Sequence, residues 1–434
     1  MNDVQRRRYR LLAFASTWTG CMSEVLFDSS AIVLLFITAL GGSEALTMFS
    51  TSFSSVAWAV LLIPCSEIAR RKGLKWCLSW GVYLGMAGIF LLVLAPCLGR
   101  YSLPAALAGC AGFALSRPVH LAAWTPLLNG ILRKDERGSF FGFMRFSYQL
   151  IAMILFSSAG FLMGDKPPVW VLQLVIGICG LLLLGRKLCI DRIPAVSGVS
   201  AGELSFKKQL RNTVRNSALM SFAVYCGGIF LTTAVSLPLT LLYLKKSVSL
   251  GAGTIQLVAV CGTVGTMTGY LSFGYFLKRF KIRKLLLASH LSVFLATCAL
   301  SLCVPEFSFT PAACAIILLG QSFAAACFTN CFSTEMLALS RPGQYTTSTA
   351  ICSAYNSVGR VAGSWAVSFA RGSGLLAASW QKGGLTFPHY QTIELVCAGF
   401  ALILLAVLPT VPAIIPDRED YYDASRKQDD RKKN

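Results

Sequence analysis

The stretch "IPCSEIARRKGLKWCLSW" (63–80) separates two oily runs, "ALTMFSTSFSSVAWAVLL" (45–62) and "GVYLGMAGIFLLVLAP" (81–96). Arg70, Arg71, Lys72 and Lys75 fall within little more than one turn, after which the chain turns apolar again. Such a pattern keeps positive charge at one surface of an apolar layer. Composition agrees: of 434 residues 55% are hydrophobic and 13% charged, with mean hydropathy +0.63. A soluble domain carries about 25% charged residues. Here the charges gather in short clusters between apolar runs of roughly twenty residues, the length that crosses a bilayer core. The chain reads as a polytopic, all-α membrane protein. Its net charge of +20 does not point to nucleic acid, because the basic residues occur between spans, where the bilayer explains them.

Twelve spans follow, at 14–40, 45–65, 76–97, 103–128, 146–164, 168–188, 217–243, 252–277, 284–304, 311–334, 346–370 and 391–415. The basic N-terminus runs into the first span, which reads as uncleaved. Both termini and the connections after the even-numbered spans, counted with Arg186, Lys187 and Lys284 at the flanking span ends, carry 31 of the 39 Lys and Arg; the opposite connections carry six, and Arg117 and Arg360 fall inside spans. Positive charge stays on the cytoplasmic side, so the expectation is a multi-pass protein of the cytoplasmic (inner) membrane with both termini inside. The basic turn at 70–75 is then a short cytoplasmic loop.

Equivalent turns recur at nearly one offset. Gly73 precedes Lys281 by 208 residues, and Gly138 precedes Gly343 by 205. An internal duplication produces that spacing. The expected organisation is a six-helix half over 1–188, a central cytoplasmic loop over 189–215, a second six-helix half over 216–415 and a disordered tail over 416–434. Two such halves enclose a substrate site near the bilayer midplane.

On these features the chain resembles the major facilitator superfamily (MFS) of secondary transporters, which implies the twelve-helix, two-half fold. The family's loop between the second and third spans reads Gly-x-x-x-Asp-Arg-x-Gly-Arg-Lys. Here "SEIARRKGLK" keeps Arg71, Gly73 and Lys75, with Ser66, Arg70 and Leu74 at the first glycine, the aspartate and an arginine. The second-half copy "GYFLKRFKIR" keeps Gly274, Arg279 and Arg283, with Lys278 at the aspartate. The resemblance implies a cytoplasmic gate at this loop, and Glu67, one turn before Arg70 and Arg71, is the carboxylate that could replace the missing aspartate. The turn "LRKDERGSFFGFMRF" (132–146) fits a further family segment through Arg137, Gly138 and Arg145 and says nothing about substrate.

Ionisable groups inside spans are functional candidates because their burial is expensive. Glu24 and Asp28 lie four apart, on one face of the first span. Arg117 precedes Pro118 in the fourth span and matches the arginine of the family's Arg-x-x-Gln-Gly signature, with His120 and Leu121 at the glutamine and the glycine. The resemblance suggests Asp28, or Glu24 second, facing Arg117 as a proton-coupling pair. A carboxylate beside arginine stays ionised and takes up a proton when the pair separates. Arg360 could face the central cavity, or pack closely beside Gly359 and Gly363. Glu394 and Glu335 are expected near the water interface.

His120, Trp124, Gln149, Gln256, Asn330 and Asn356 join Arg117 and Arg360 as candidate cavity residues; interhelical hydrogen bonding would use the same side chains equally well. Trp18, Asn129, Gln321 and Tyr355 are weaker candidates of the same kind. The sixteen cysteines contain no CxxC pair and the three histidines are scattered, so no metal site is expected. No nucleotide-binding or hydrolase motif is present, and no cofactor is expected. The expected function is alternating-access secondary transport of a small polar or anionic solute, a sugar or organic acid first, coupled to protons, by a monomer in the lipid bilayer. A multidrug-type proton antiporter is the nearest alternative. A non-transporting membrane sensor and a membrane-embedded glycan-transferring enzyme are alternatives of other classes; the short loops leave the enzyme without a polar domain.

Overall fold

Gly73 alone makes the turn at which the basic stretch reverses. The second crossing ends at Lys72, the third starts at Leu74, and Gly73 between them has φ +98°, a conformation that glycine adopts without a Cβ clash. The computed structural model describes residues 3–132, 137–194, 206–340, 345–374 and 376–407. Its helices are α1 (Asp3–Asp28), α2 (Ile32–Ala39), α3 (Glu44–Thr51), α4 (Phe53–Lys72), α5 (Leu74–Leu94), α6 (Ser102–Ile131), α7 (Arg137–Met163) and α8 (Val169–Arg192). After these come α9 (Phe206–Val214), α10 (Ser217–Lys246), α11 (Ala252–Arg279), α12 (Ile282–Ser301), α13 (Thr310–Leu339), α14 (Tyr345–Gly372) and α15 (His389–Val407). A hairpin, β1 (Ser379–Lys382) with β2 (Leu385–Pro388), precedes α15.

Among the described residues nine stretches are long and apolar enough to cross a membrane, or ten once the pair α1 and α2, bent by 53°, is taken as one span. One of the nine, Leu74–Leu128, holds two crossings. Gly81 meets His120, Gly85 meets Ser116 and Gly88 meets Phe113, so numbers rise along α5 as they fall along α6, and the two are antiparallel. The twelfth crossing is α14, whose Thr, Ser, Asn and Arg residues dilute its apolar face.

The helix contacts repeat between halves. In the first, α1 packs on α7 and α8, α4 on α6, and α5 on α6 and α8. In the second, α10 packs on α14 and α15, α11 on α13, and α12 on α13 and α15. First-with-fifth-and-sixth, second-with-fourth and third-with-fourth-and-sixth is one arrangement used twice, the two-half fold expected from the repeated turns. The stretch expected as a central loop is partly helical, with α8 running to Arg192 and α9 following at Phe206. Residues 195–205 and the tail 416–434 lie outside the described residues, as does Gly343.

The halves meet through α7 on α11 and through α14 on α3 and α4. At the face away from the termini this seam is polar. Glu44 takes Arg371 at 2.8 Å and His389 at 3.4 Å, and the Trp365 indole donates to Ser52 Oγ at 2.9 Å. The Ala252 and Gly253 N–H groups donate to the Asp165 and Gly164 carbonyls at 2.9 and 2.7 Å, and Lys245 Nζ donates to Thr38 Oγ1. The hairpin caps the same face. Gly383 and Gly384, at φ +61° and +80°, supply the two left-handed positions of a tight two-residue turn, and Trp380 stacks on Phe387 at 4.4 Å.

Candidate functional site

The first span breaks at "DSSA" (28–31). Serine hydroxyls compete with the helix for backbone groups. Ser30 Oγ donates to the Leu26 carbonyl at 2.8 Å, and the Ser29 and Ser30 N–H groups both turn back to Val25 O, at 2.9 and 3.1 Å. The regular ladder stops there, and α2 resumes at Ile32. The freed Ala31 N–H donates at 2.8 Å to Gln256 Oε1, which comes from α11 in the other half. An unsatisfied N–H at this depth is costly, and one side chain from across the seam satisfies it.

Asp28 is the last residue of α1, where the helix dipole disfavours an anion. Arg117 offsets that. Its Nη1 and Nη2 donate to the two Asp28 carboxylate oxygens at 2.7 and 2.6 Å, a bidentate fork. The guanidinium lies 5.4 Å from the centroid of the Trp58 ring, on α4. The pair is unequally exposed, with the Asp28 side chain 46% exposed and the Arg117 side chain 11%. The acid of the pair is thus the more exposed member.

Glu24 does not face Arg117 as a second choice of partner; it takes Arg186 of α8, at 2.8 Å. Arg186 belongs with the membrane-depth charges rather than with the basic loop after the sixth span: it is buried along α8, with its Nε 3.4 Å from the Ser16 carbonyl. Glu24, Ser116, Arg117, His120 and Arg186 line a small cavity inside the first half. His120 is buried there, stacked on Trp124 with ring centroids 5.5 Å apart, and its Nδ1 has no partner among the described residues.

The remaining candidates are placed as follows. Gln256 is fully buried in the α1–α2 joint, and Asn330 accepts from Arg145 Nη1 at 3.0 Å. Gln149 and Asn356 are buried with amide oxygens that have no partner among the described residues. Arg360 lies over the Phe230 ring at 4.4 Å, and its helix α14 is also closely packed, with Gly359 and Gly363 against the α10 backbone at Gly227 and Leu231. Trp18 donates to Ser147 Oγ at 2.8 Å and Gln321 to Thr297 Oγ1 at 3.0 Å, while Tyr355 is exposed; nothing is described of the Asn129 side chain.

At the terminus face Arg71 pairs with Glu67 at 2.7 Å and Lys75 donates to the Asp191 carbonyl at 3.0 Å. Arg279 donates to the Tyr275 hydroxyl at 2.6 Å, one turn back on its own helix, and Gly274 has open space around its α-carbon. Glu394 and Glu335 are not at the water interface. They are 3% and 5% exposed, Glu394 accepting from Ser236 Oγ at 3.0 Å. The charges that reading by sequence missed are Arg186 and Arg145, both assigned to loops. The signal for Arg186 was arithmetic: two first-span carboxylates and one cation within spans in that half.

A broken helix, charge pairs at membrane depth and two pseudo-symmetric halves define an α-helical membrane transporter. Residues 13–364 match the family described as the Major Facilitator Superfamily, and the chain belongs to that family of transporters. No curated protein sequence matches. Among solved structures, a mutant of the nucleoside transporter NupG superposes with a TM-score of 0.69 at 15% identity, covering 93% of this chain and 98% of that one. The D-xylose–proton symporter gives 0.69 at 11% identity, covering 92% and 96%. The E. coli fucose–proton symporter FucP, also a mutant, gives 0.63 at 15%, covering 92% and 97%. At such identities the likeness shows the fold.

Proposed function

We propose that the chain is a secondary active transporter that moves a small polar or anionic solute by alternating access, coupled to protons through Asp28. The single observation that carries this reading is the bidentate Asp28–Arg117 pair at the break in the first span. While the fork is closed, both Asp28 carboxylate oxygens accept charge-assisted hydrogen bonds from Arg117. Both side chains belong to the first half, so the step that separates them is movement at the 28–31 break, which Gln256 holds from the other half; it leaves a carboxylate at the negative end of α1, and a proton neutralises it. Glu24 and Arg186 hold the neighbouring charge in place. Glu67, Arg71, Gly73 and Lys75, with Gly274 and Arg279 in the second half, form the cytoplasmic gate. The two halves span 1–188 and 216–415. The protein sits in the cytoplasmic membrane with both termini inside, and the seam sealed by Glu44, Arg371 and Trp365 then faces outward.

The test is proton flux into liposomes loaded with a pH-sensitive dye, screened against pools of sugars, organic acids and cationic drugs. Wild type is expected to respond to at least one pool and Asp28→Asn to none. A solute-dependent proton signal that survives in Asp28→Asn removes Asp28 from the coupling role.

A further inference from the structure

The membrane-depth charges do not balance. Asp28 and Arg117 cancel, as do Glu24 and Arg186. Arg145 and Arg360 have no carboxylate within ion-pair distance among the described residues. Arg145, two turns into α7, rests its guanidinium 5.4 Å from the Tyr270 ring centroid and donates to Asn330 Oδ1 at 3.0 Å, both on the opposite half. Arg360, on α14, has the Phe230 ring at 4.4 Å. Asp28, Arg117 and the same Tyr270 act electrostatically on Arg360. The two arginines therefore border one region at the seam. The buried acids Glu335 and Glu394 have no cation within ion-pair distance among the described residues and do not offset them.

An aromatic face and a neutral amide are weak compensation for a guanidinium at membrane depth, where an unpaired charge is costly. Such a charge is retained where something anionic visits. Each arginine also has an amide one turn along the same helical face: Gln149 four residues after Arg145, and Asn356 four before Arg360. Both amides are more than nine-tenths buried, and each carbonyl oxygen is without a donor. The fifth helices of the two halves thus present the same pair of functions, a bare cation and a bare acceptor.

We infer that Arg145 with Gln149 and Arg360 with Asn356 form a bipartite receptor for the transported solute, and that this solute is a small anion, a carboxylate or phosphate monoester, that also carries hydroxyl or amino donors. The anion pairs with the guanidinium groups, and its donors fill the two amide oxygens. This rests on the transporter reading and narrows its solute class, which excludes neutral sugars and cationic drugs.

The experiment is thermal unfolding of the purified protein in detergent with matched probes: gluconate against glucose, glucose 6-phosphate against glucose, and plain acetate or inorganic phosphate. At least one hydroxylated anion is expected to raise the midpoint, its neutral partner to do nothing, and the plain anions to act weakly. Arg145→Gln and Arg360→Gln are each expected to weaken that anion about 10–100-fold, the worth of one charge-assisted hydrogen bond. Without ligand the same variants are expected to unfold at a higher temperature than wild type, because each removes a charge that has no carboxylate within ion-pair distance among the described residues. An arginine with a merely structural role would lower that midpoint when replaced. Stabilisation by neutral sugars, no response to any anion, or variants that bind anion as wild type does each overturn the receptor. Proton coupling fails separately. Anion binding without proton flux would sink the Asp28 mechanism alone, and proton flux driven by a neutral sugar would sink the receptor alone.

Discussion

Arg186 reaches Glu24 only because residue 20 has no side chain: a β-carbon at Gly20 would fall 1.4 Å from Arg186 Nε. Gly20→Ala therefore expels the guanidinium and leaves Glu24 without its cation. Breaking a buried pair costs about 3–5 kcal/mol, and the partial exposure of Glu24 brings the expected loss to about 2–4 kcal/mol. The check is the thermal midpoint in detergent, with Glu24→Gln recovering much of the loss in the double variant. A double variant as unstable as Gly20→Ala would place the damage in helix packing instead of charge. At this scale the sequence revealed that Glu24, Asp28 and Arg117 sit at membrane depth, and resemblance supplied the Asp28–Arg117 pairing. It did not reveal that Glu24 is already engaged, since partner choice between two cations is decided by which helices touch.

The joint between α1 and α2 carries its own logic. Consecutive polar residues at 28–30 were visible in the sequence, yet the run to Leu40 reads as one uninterrupted span, because hydropathy averages over the break. The bond from Ala31 N–H to Gln256 was not legible, being formed between residues 225 apart. Gln256→Leu strands that N–H, at a cost of about 1–3 kcal/mol. Amide hydrogen exchange is expected to accelerate at residues 29–32 and to stay unchanged in the middle of α5 and α12. Unchanged exchange at the joint would show that Gln256 does not hold it. The hairpin at 379–388 is a contrasting element. "QKGGLT" (381–386) has the Gly-Gly pair that marks a two-residue turn, so its signal was present between two longer apolar runs.

The whole molecule is sealed on one face and joined at depth mainly by α7 against α11 and α14 against α4. The polar seam around Glu44 gathers residues from both halves, and Glu44→Gln removes the anion that Arg371 and His389 share. The expected result is a seam that opens more readily on that face. A cysteine introduced as Ser52→Cys, in a background with exposed Cys97→Ser, is expected to react faster with a membrane-impermeant maleimide once Glu44→Gln is added. Equal rates would show that the backbone bonds at 164–165 and 252–253 suffice to hold the face shut. Because the seam faces outward in the proposed orientation, labelling of intact cells against inverted vesicles also tests which side the termini occupy.

Fold class, span positions and the sidedness of basic charge were determined by the sequence itself, since each follows from local chemistry: an apolar run must be long enough to cross, and a cluster of arginines must stay at a surface. The repeated turns carried the two-half architecture for the same reason. Tertiary structure decided how the membrane-depth charges are shared out. Arg186 and Arg145 stand at span ends on paper; in space Arg186 is buried against α1 and Arg145 reaches across the seam to Asn330, while Glu335 and Glu394, near span ends in the sequence, are buried. Burial and pairing depend on which helices pack together, and those helices are often a hundred or more residues apart in the chain.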